Sequence, residues 1–384
     1  MKNYLPVVIG ALLLCACQKN TDRLKPVANT TENASLSADD AAIPLSNKLE
    51  LVYAIERYQL TGVAISHTGR LFTNFPLWPG PHKYDVVEVT SPTTSVPFPN
   101  EEWNSWQPGE DGKNKWVCVQ SVYVDDANYL WVLDPASPYQ KGVYKRSYKL
   151  VKFNLQDNSV ERIYRFDYIA DKSSYLNDVR VDTATNFAYI TNSSEGGIVV
   201  LDLTTGKKKQ VLQGHPSTIA DPSYKLTFFG KQLTYDNGQP MRFNSDGIAL
   251  TPDGQYIYYK PLSDDRLFRI GTKYLRNFKL AAQQLAAHVE FLGHYTTTDG
   301  MIFDKKGNLY FGDLENYRII RIKPDGSVEE VVKDARLIWP DSYSISPDGY
   351  LYVSCSQIQF QPEYNLTEHQ PLTPYTIYKI NINE

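Results

Sequence analysis

The chain has 384 residues, 42% hydrophobic and 21% charged, with a formal net charge of -4. That is an ordinary globular composition with enough apolar mass for a large core. No basic run stands out, which argues against a nucleic-acid partner. Tyr is abundant at 28 residues, beside 6 Trp, and both residue types favour strands.

Met1-Lys2-Asn3 gives a short positive start, and Leu5 to Ala16 is an apolar run. The run is too short and too near the terminus to span a membrane. It ends Leu14-Cys15-Ala16-Cys17. A small residue directly before Cys is the pattern of a bacterial lipoprotein signal. Residues 1–17 are therefore expected to be a signal peptide with Cys17 lipidated. Acyl chains there would hold an exported protein on a membrane surface, facing the periplasm or the cell exterior. An ordinary secretory signal with two incidental cysteines is the plainer alternative. Residues 18–47 are polar and lack an apolar period, so they read as a flexible tether. The folded domain is expected over residues 48–384. Its cysteines, Cys118 and Cys355, fall in non-adjacent repeats, which weighs against a disulfide.

Those repeats organise the rest of the chain. Copies begin at Thr61 ("TGVAISHTGRLFTNF"), Gln120 ("QSVYVDDANYLWVLD"), Asn177 ("NDVRVDTATNFAYIT"), Asp246 ("DGIALTPDGQYIYYK"), Asp299 ("DGMIFDKKGNLYFGD") and Asp341 ("DSYSISPDGYLYVSC"). Each has a polar first residue, an alternating apolar strand, a turn and a second strand carrying an aromatic. Their spacing runs from 42 residues (Asp299 to Asp341) to 69 (Asn177 to Asp246), the range of propellers and solenoids. Most units add two more strands, such as "GGIVVLDLTTG" and "KKKQVLQG" after Asn177. Four strands per unit predict an all-β, six-bladed β-propeller. The last unit is one strand short, and "LELVYAIERY" at Leu49–Tyr58 is one to spare. It is expected to become the outer strand of the last blade and close the ring, removing an open edge. A helix is expected over Tyr274–Val289.

In a propeller the six aligned polar residues become equivalent positions at one end of a central channel. Thr61, Gln120, Asn177, Asp246, Asp299 and Asp341 then form a ring. Buried carboxylates on one axis are costly unless something satisfies them. Two residues earlier lies the next ring out, including Tyr175 and Trp339, which could stack on an aromatic ligand or pack between blades. Asp253, Asp325 and Asp348 sit in Pro-Asp-Gly turns and carry no chemistry. The six His show no zinc spacing, and no hydrolase, phosphate-loop or dinucleotide motif is present.

Several of these segments resemble the major royal jelly protein/Yellow family, in its bacterial lipoprotein branch. They are "GVAISHTGRLFTNFPLWPG", "YLNDVRVDTATNFAYITNSSEGGIVVLDLTTGKKKQVLQGHPST", "SDGIALTPDGQYIYYKPLSDDRLFRI" and "TDGMIFDKKGNLYFGDLENYRIIRI". The resemblance implies a secreted six-bladed propeller; some members bind biogenic amines and some are described as acting on dopachrome. More distantly, the chain resembles gluconolactonase-type propellers, which hold an axial divalent metal. That resemblance puts Asn177, Asp246 and Asp299 at metal positions, with a cation such as Ca²⁺, and Asp299 at the catalytic acid/base position. Thr61 stands where lactonases have Glu.

The reading that follows is a monomeric, lipid-anchored propeller holding a small aromatic or amine-bearing molecule in its central funnel. Its ligand contacts would be Thr61, Gln120, Tyr175, Asn177, Asp246, Asp299, Trp339 and Asp341. The alternatives are a metal-dependent lactonase-like hydrolase, a dopachrome-converting isomerase, and a protein-interaction scaffold without chemistry.

Overall fold

A computed structural model describes residue 43 and residues 45–167, 173–366 and 374–383. Cys17, the signal segment and most of the tether lie outside the described residues. Among the described residues there are six four-stranded antiparallel sheets, with a two-stranded hairpin pairing 227–228 and 231–232. Blade 1 comprises 63–65, 71–74, 86–91 and 94–97, and blade 2 comprises 121–124, 129–134, 149–154 and 160–165. Blade 3 runs through 176–182, 187–192, 198–202 and 208–211, and blade 4 through 245–250, 256–261, 266–271 and 289–294. Blade 5 contains 301–303, 309–313, 318–322 and 328–333. Blade 6 takes 340–345, 350–355 and 375–381 from the C-terminal end, and Glu50–Ile55 as its outer strand. The ring closes as the repeat count requires. Tyr53 of that strand is fully buried and bonds Ser95 Oγ of blade 1 at 3.0 Å.

The core consists of six apolar clusters, one at each interface between neighbouring blades. Period-two alternation explains this, because successive side chains of a strand point to opposite faces. Tyr258 faces blade 5 while Tyr259 faces blade 3. Tyr310 faces blade 6 while Phe311 faces blade 4. The second strands of blades 4 and 5 are thus apolar on both faces.

The helix expected over Tyr274–Val289 is instead two short helices, Thr272–Leu275 and Ala282–Ala286. Phe278 between them packs edge-on against Phe187 of blade 3, with ring centroids 6.3 Å apart. Lys209 Nζ donates to the carbonyls of Phe278 and Leu280. Covering the interface of blades 3 and 4 takes precedence over helical continuity. Among the described residues no helix is long and apolar enough to cross a membrane. Cys118 and Cys355 are both buried and free.

Candidate functional site

The inner strands carry the ring to the axis. Register shifts fall at Leu176/Val179, Ser245/Ile248 and Pro340/Tyr343, so Asn177, Asp246 and Asp341 each sit in a β-bulge. Bulges re-aim side chains and recur beside functional sites. Glycine follows Thr61, Asp246 and Asp299 because the ring leaves no room there. A Cβ on Gly247 would stand 2.2 Å from the Asp299 carbonyl oxygen, and one on Gly300 2.6 Å from that of Asp341.

All six ring residues are buried. Thr61 donates to the Gln120 carbonyl at 3.0 Å and accepts from Asn74 Nδ2 at 2.8 Å, which ties blade 1 to blade 2. Gln120 Oε1 accepts the Tyr175 hydroxyl at 2.8 Å, and Tyr175 in turn accepts from Trp78 Nε1 at 3.1 Å. Asn177 Nδ2 donates to Asp246 Oδ2 at 2.7 Å. Trp339 Nε1 donates to Asp299 Oδ2 at 2.7 Å. Asp341 Oδ1 accepts from Ser342 Oγ at 3.0 Å. Asp246 Oδ1 and Asp341 Oδ2 are buried without a hydrogen-bond partner. Native structures keep few such atoms, and each calls for a physical explanation.

Gln120, Tyr175, Asn177, Asp246, Asp299 and Trp339 line one axial cavity, together with Trp78, Met241, Phe243, Leu262, Ile358 and Tyr364. Its volume is about 20 Å³, room for a single water molecule. Of the eight expected ligand contacts, Thr61 and Asp341 belong to the ring but not to this lining. The walls opposite the acids come from loops, and they roof the site.

Burial dominates the electrostatics. Loss of hydration pushes Asp299 up to about 7, against the opposing pull of the Trp339 N–H. Asp246 is raised well above the carboxylate range by burial, then by the charges of Asp299, Asp178 and Asp341. Asp341 is raised well above it by burial and then by Asp299. Asp246 and Asp299 are neighbours, and the ionisation of each depends on the other. Like charges this close do not all ionise, so the site carries protons near neutral pH.

Three residues that the repeat alignment did not single out complete the site. Asp178, directly after Asn177, is buried, and Ser121 Oγ donates to it at 3.1 Å. The other copies have Gly or Ser at this position, so an acid among small residues was the available signal. Arg180 reaches from blade 3 to the Met301 carbonyl of blade 5 at 2.7 Å; burial raises the pKa of Asp178, and the Arg180 charge opposes that rise. Lys260 is buried and donates to the carbonyls of Pro261 and Asp264; burial lowers its pKa to about 8. Among the described residues no three His, Cys, Asp or Glu side chains are grouped so that they could hold a metal ion.

A search of curated proteins found no match. Solved structures with the same fold include a luciferin-regenerating enzyme at 14% identity and TM-score 0.53, covering 87% of this chain and 94% of that one. A Xanthomonas campestris gluconolactonase matches at 10% identity and TM-score 0.51, covering 87% and 89%. Staphylococcus aureus virginiamycin B lyase, solved with quinupristin, matches at 12% identity and TM-score 0.51, covering 87% and 99%. At these identities the likeness is one of fold. The model of the major royal jelly protein family matches residues 117–381, more than half of the sequence, and the chain belongs to that family.

Proposed function

We propose that the protein binds the cationic group of a small amine-bearing molecule at the axial acids. The observation that carries this reading is a buried carboxylate oxygen without a partner, Asp246 Oδ1, on a residue that lines the axial cavity. An ammonium group supplies donors to such oxygens and neutralises the cluster when it deprotonates. Tyr175 and Trp339 are already committed to Gln120 and Asp299. They act as fixed walls, with Trp78, for an organic remainder. A cavity of about 20 Å³ admits only the charged group, so the roof must open for anything larger. The test is titration of tyramine into the full chain and into Asp299→Ala. Saturable binding that weakens at least tenfold in the variant supports the reading; equal binding in both, or none in either, defeats it.

A second reading places a divalent cation, for example Ca²⁺, on Asn177, Asp246 and Asp299, with Asp299 as acid/base of a lactone hydrolase. The open Asp246 Oδ1 favours it as well. Weighing against it, Ca²⁺ takes six to eight oxygens, whereas Asn177 turns its N–H toward Asp246 and Thr61 is spent on backbone and Asn74. Calcium titration and a lactone panel on the same protein separate the two readings. The scaffold reading has less behind it. The large exposed apolar residues include Leu51, Val96, Val160, Phe291 and Val328, each on the outer strand of a different blade.

We propose further that acyl chains on Cys17 anchor the exported protein to a membrane surface, supported by the small residue before that Cys. Cys17→Ser should then move the protein from the membrane to the soluble fraction. Unchanged membrane association in that variant would refute anchoring.

A further inference from the structure

Where blades 6 and 1 meet lies a second and larger cavity, of about 330 Å³, within the size range of small-molecule sites. Its apolar walls are Phe75, Trp78, Phe360 and Tyr375, with prolines of the Pro76–Pro81 turn. Trp78 also lines the axial cavity and is the partition between the two. Phe75, Trp78 and Phe360 are themselves buried, so the walls are held by the fold rather than loosely draped over it.

The polar groups of this pocket are set by a chain of amides. Gln59 Nε2 donates to the Ser356 carbonyl at 2.8 Å, which leaves Gln59 Oε1 facing Gln361. Gln361 must then present its nitrogen, which donates to that oxygen at 3.0 Å. The orientation of both amides is fixed by this order. Gln361 Oε1 is left over. Gln361 is 6% exposed, its Oε1 has no hydrogen-bond partner, and the residue lines the pocket. A buried acceptor in that state favours a ligand that donates to it. Arg57, exposed at the pocket's edge, has no carboxylate partner among the described residues.

We propose that this rim pocket binds a flat hydroxy-aromatic carboxylate. The ring lies between the aromatic and proline walls, the hydroxyl donates to Gln361 Oε1, and the carboxylate meets the Arg57 guanidinium. The ligand class is opposite in charge to that of the axial site, and the two sites stand or fall separately.

Calorimetric titration of the full chain with 4-hydroxyphenylacetate tests this. Saturable binding is expected, about tenfold tighter than that of phenylacetate. Arg57→Met, a surface change, should weaken 4-hydroxyphenylacetate about tenfold. In Gln361→Met the two ligands should bind alike. Asp299→Asn, in the axial cavity, should leave all of these values unchanged. Absence of saturable binding overturns the proposal. So does binding that ignores Arg57→Met, that shows no preference for the hydroxyl, or that disappears in Asp299→Asn.

Discussion

Trp339 holds Asp299 by a 2.7 Å hydrogen bond from its indole N–H while its own backbone sits in the left-handed region, at φ 56. A bulky residue rarely adopts that conformation, which costs on the order of 1–3 kcal/mol. Trp339 is also fully buried and stacks on Phe228, ring centroids 5.7 Å apart. Packing and the bond to a carboxylate offset the strain. Trp339→Phe keeps the ring and removes the donor. The variant should lose about 1.5–3 kcal/mol of stability, as for a hydrogen bond to a charged group. The pKa of Asp299 should rise further, which carboxyl NMR titration would show directly.

The acid ring sets a pH dependence of stability with a definite sign. Asp299, Asp246 and Asp341 all have raised pKa values in the folded state. Between an unfolded value near 4 and the folded value, about 7 for Asp299, the folded state binds more protons. Stability is therefore complete below about pH 4 on this account and falls as pH rises through about 7. Lys260, lowered to about 8, acts in the opposite direction only above that pH. Urea unfolding at pH 5.0 and 7.5 should show the fall in the wild type and a smaller one in Asp246→Asn. A fall of equal size in both would show that the ring is not its source.

Gly247 and Gly300 are places where the next blade's backbone leaves no space for a side chain. Alanine at either meets a carbonyl oxygen, of Asp299 or Asp341 respectively. Each variant should lose about 1–3 kcal/mol or more, measured by urea unfolding. Alanine at Gly69, where nothing stands within 4 Å of a Cβ but φ is 83, isolates the backbone contribution and should cost about 1 kcal/mol.

The architecture was readable because one unit recurs six times, and repetition reveals both strand count and the missing strand. The ring was readable for the same reason. Arg180 and Lys260 were not, because each occurs in one copy and its role depends on crossing the channel or reaching a turn. The roof and the rim pocket were equally hidden. The rim pocket is assembled from Gln59, Trp78, Gln361 and Tyr375, residues distant in sequence that ring closure brings together. The split helix shows tertiary packing of Phe278 overriding local pattern.

Ring closure itself can be tested at Tyr53, which joins the outer strand of blade 6 to blade 1. Tyr53→Ala removes a fully buried ring and its bond to Ser95. A loss of about 3–5 kcal/mol is expected, with increased proteolysis near residue 50.

The roof over the axial cavity makes a kinetic prediction. With space for about one water, an amine must wait for the loops around Trp78 and Ile358 to part. Stopped-flow association of tyramine should be slower than the roughly 10⁵ M⁻¹s⁻¹ typical of unhindered docking. Its observed rate should level off at high concentration, as gating requires.

The most direct measurement is proton release on amine binding. Calorimetry of tyramine at pH 6.5, in two buffers of different ionisation enthalpy, counts the protons displaced. A cation that enters a protonated acid pair must expel about one proton, because burial holds Asp246 and Asp299 partly neutral at that pH. About one proton should appear per tyramine bound, and the release should vanish in Asp246→Asn. Binding without proton release, or binding untouched by Asp246→Asn, would contradict an axial cation site.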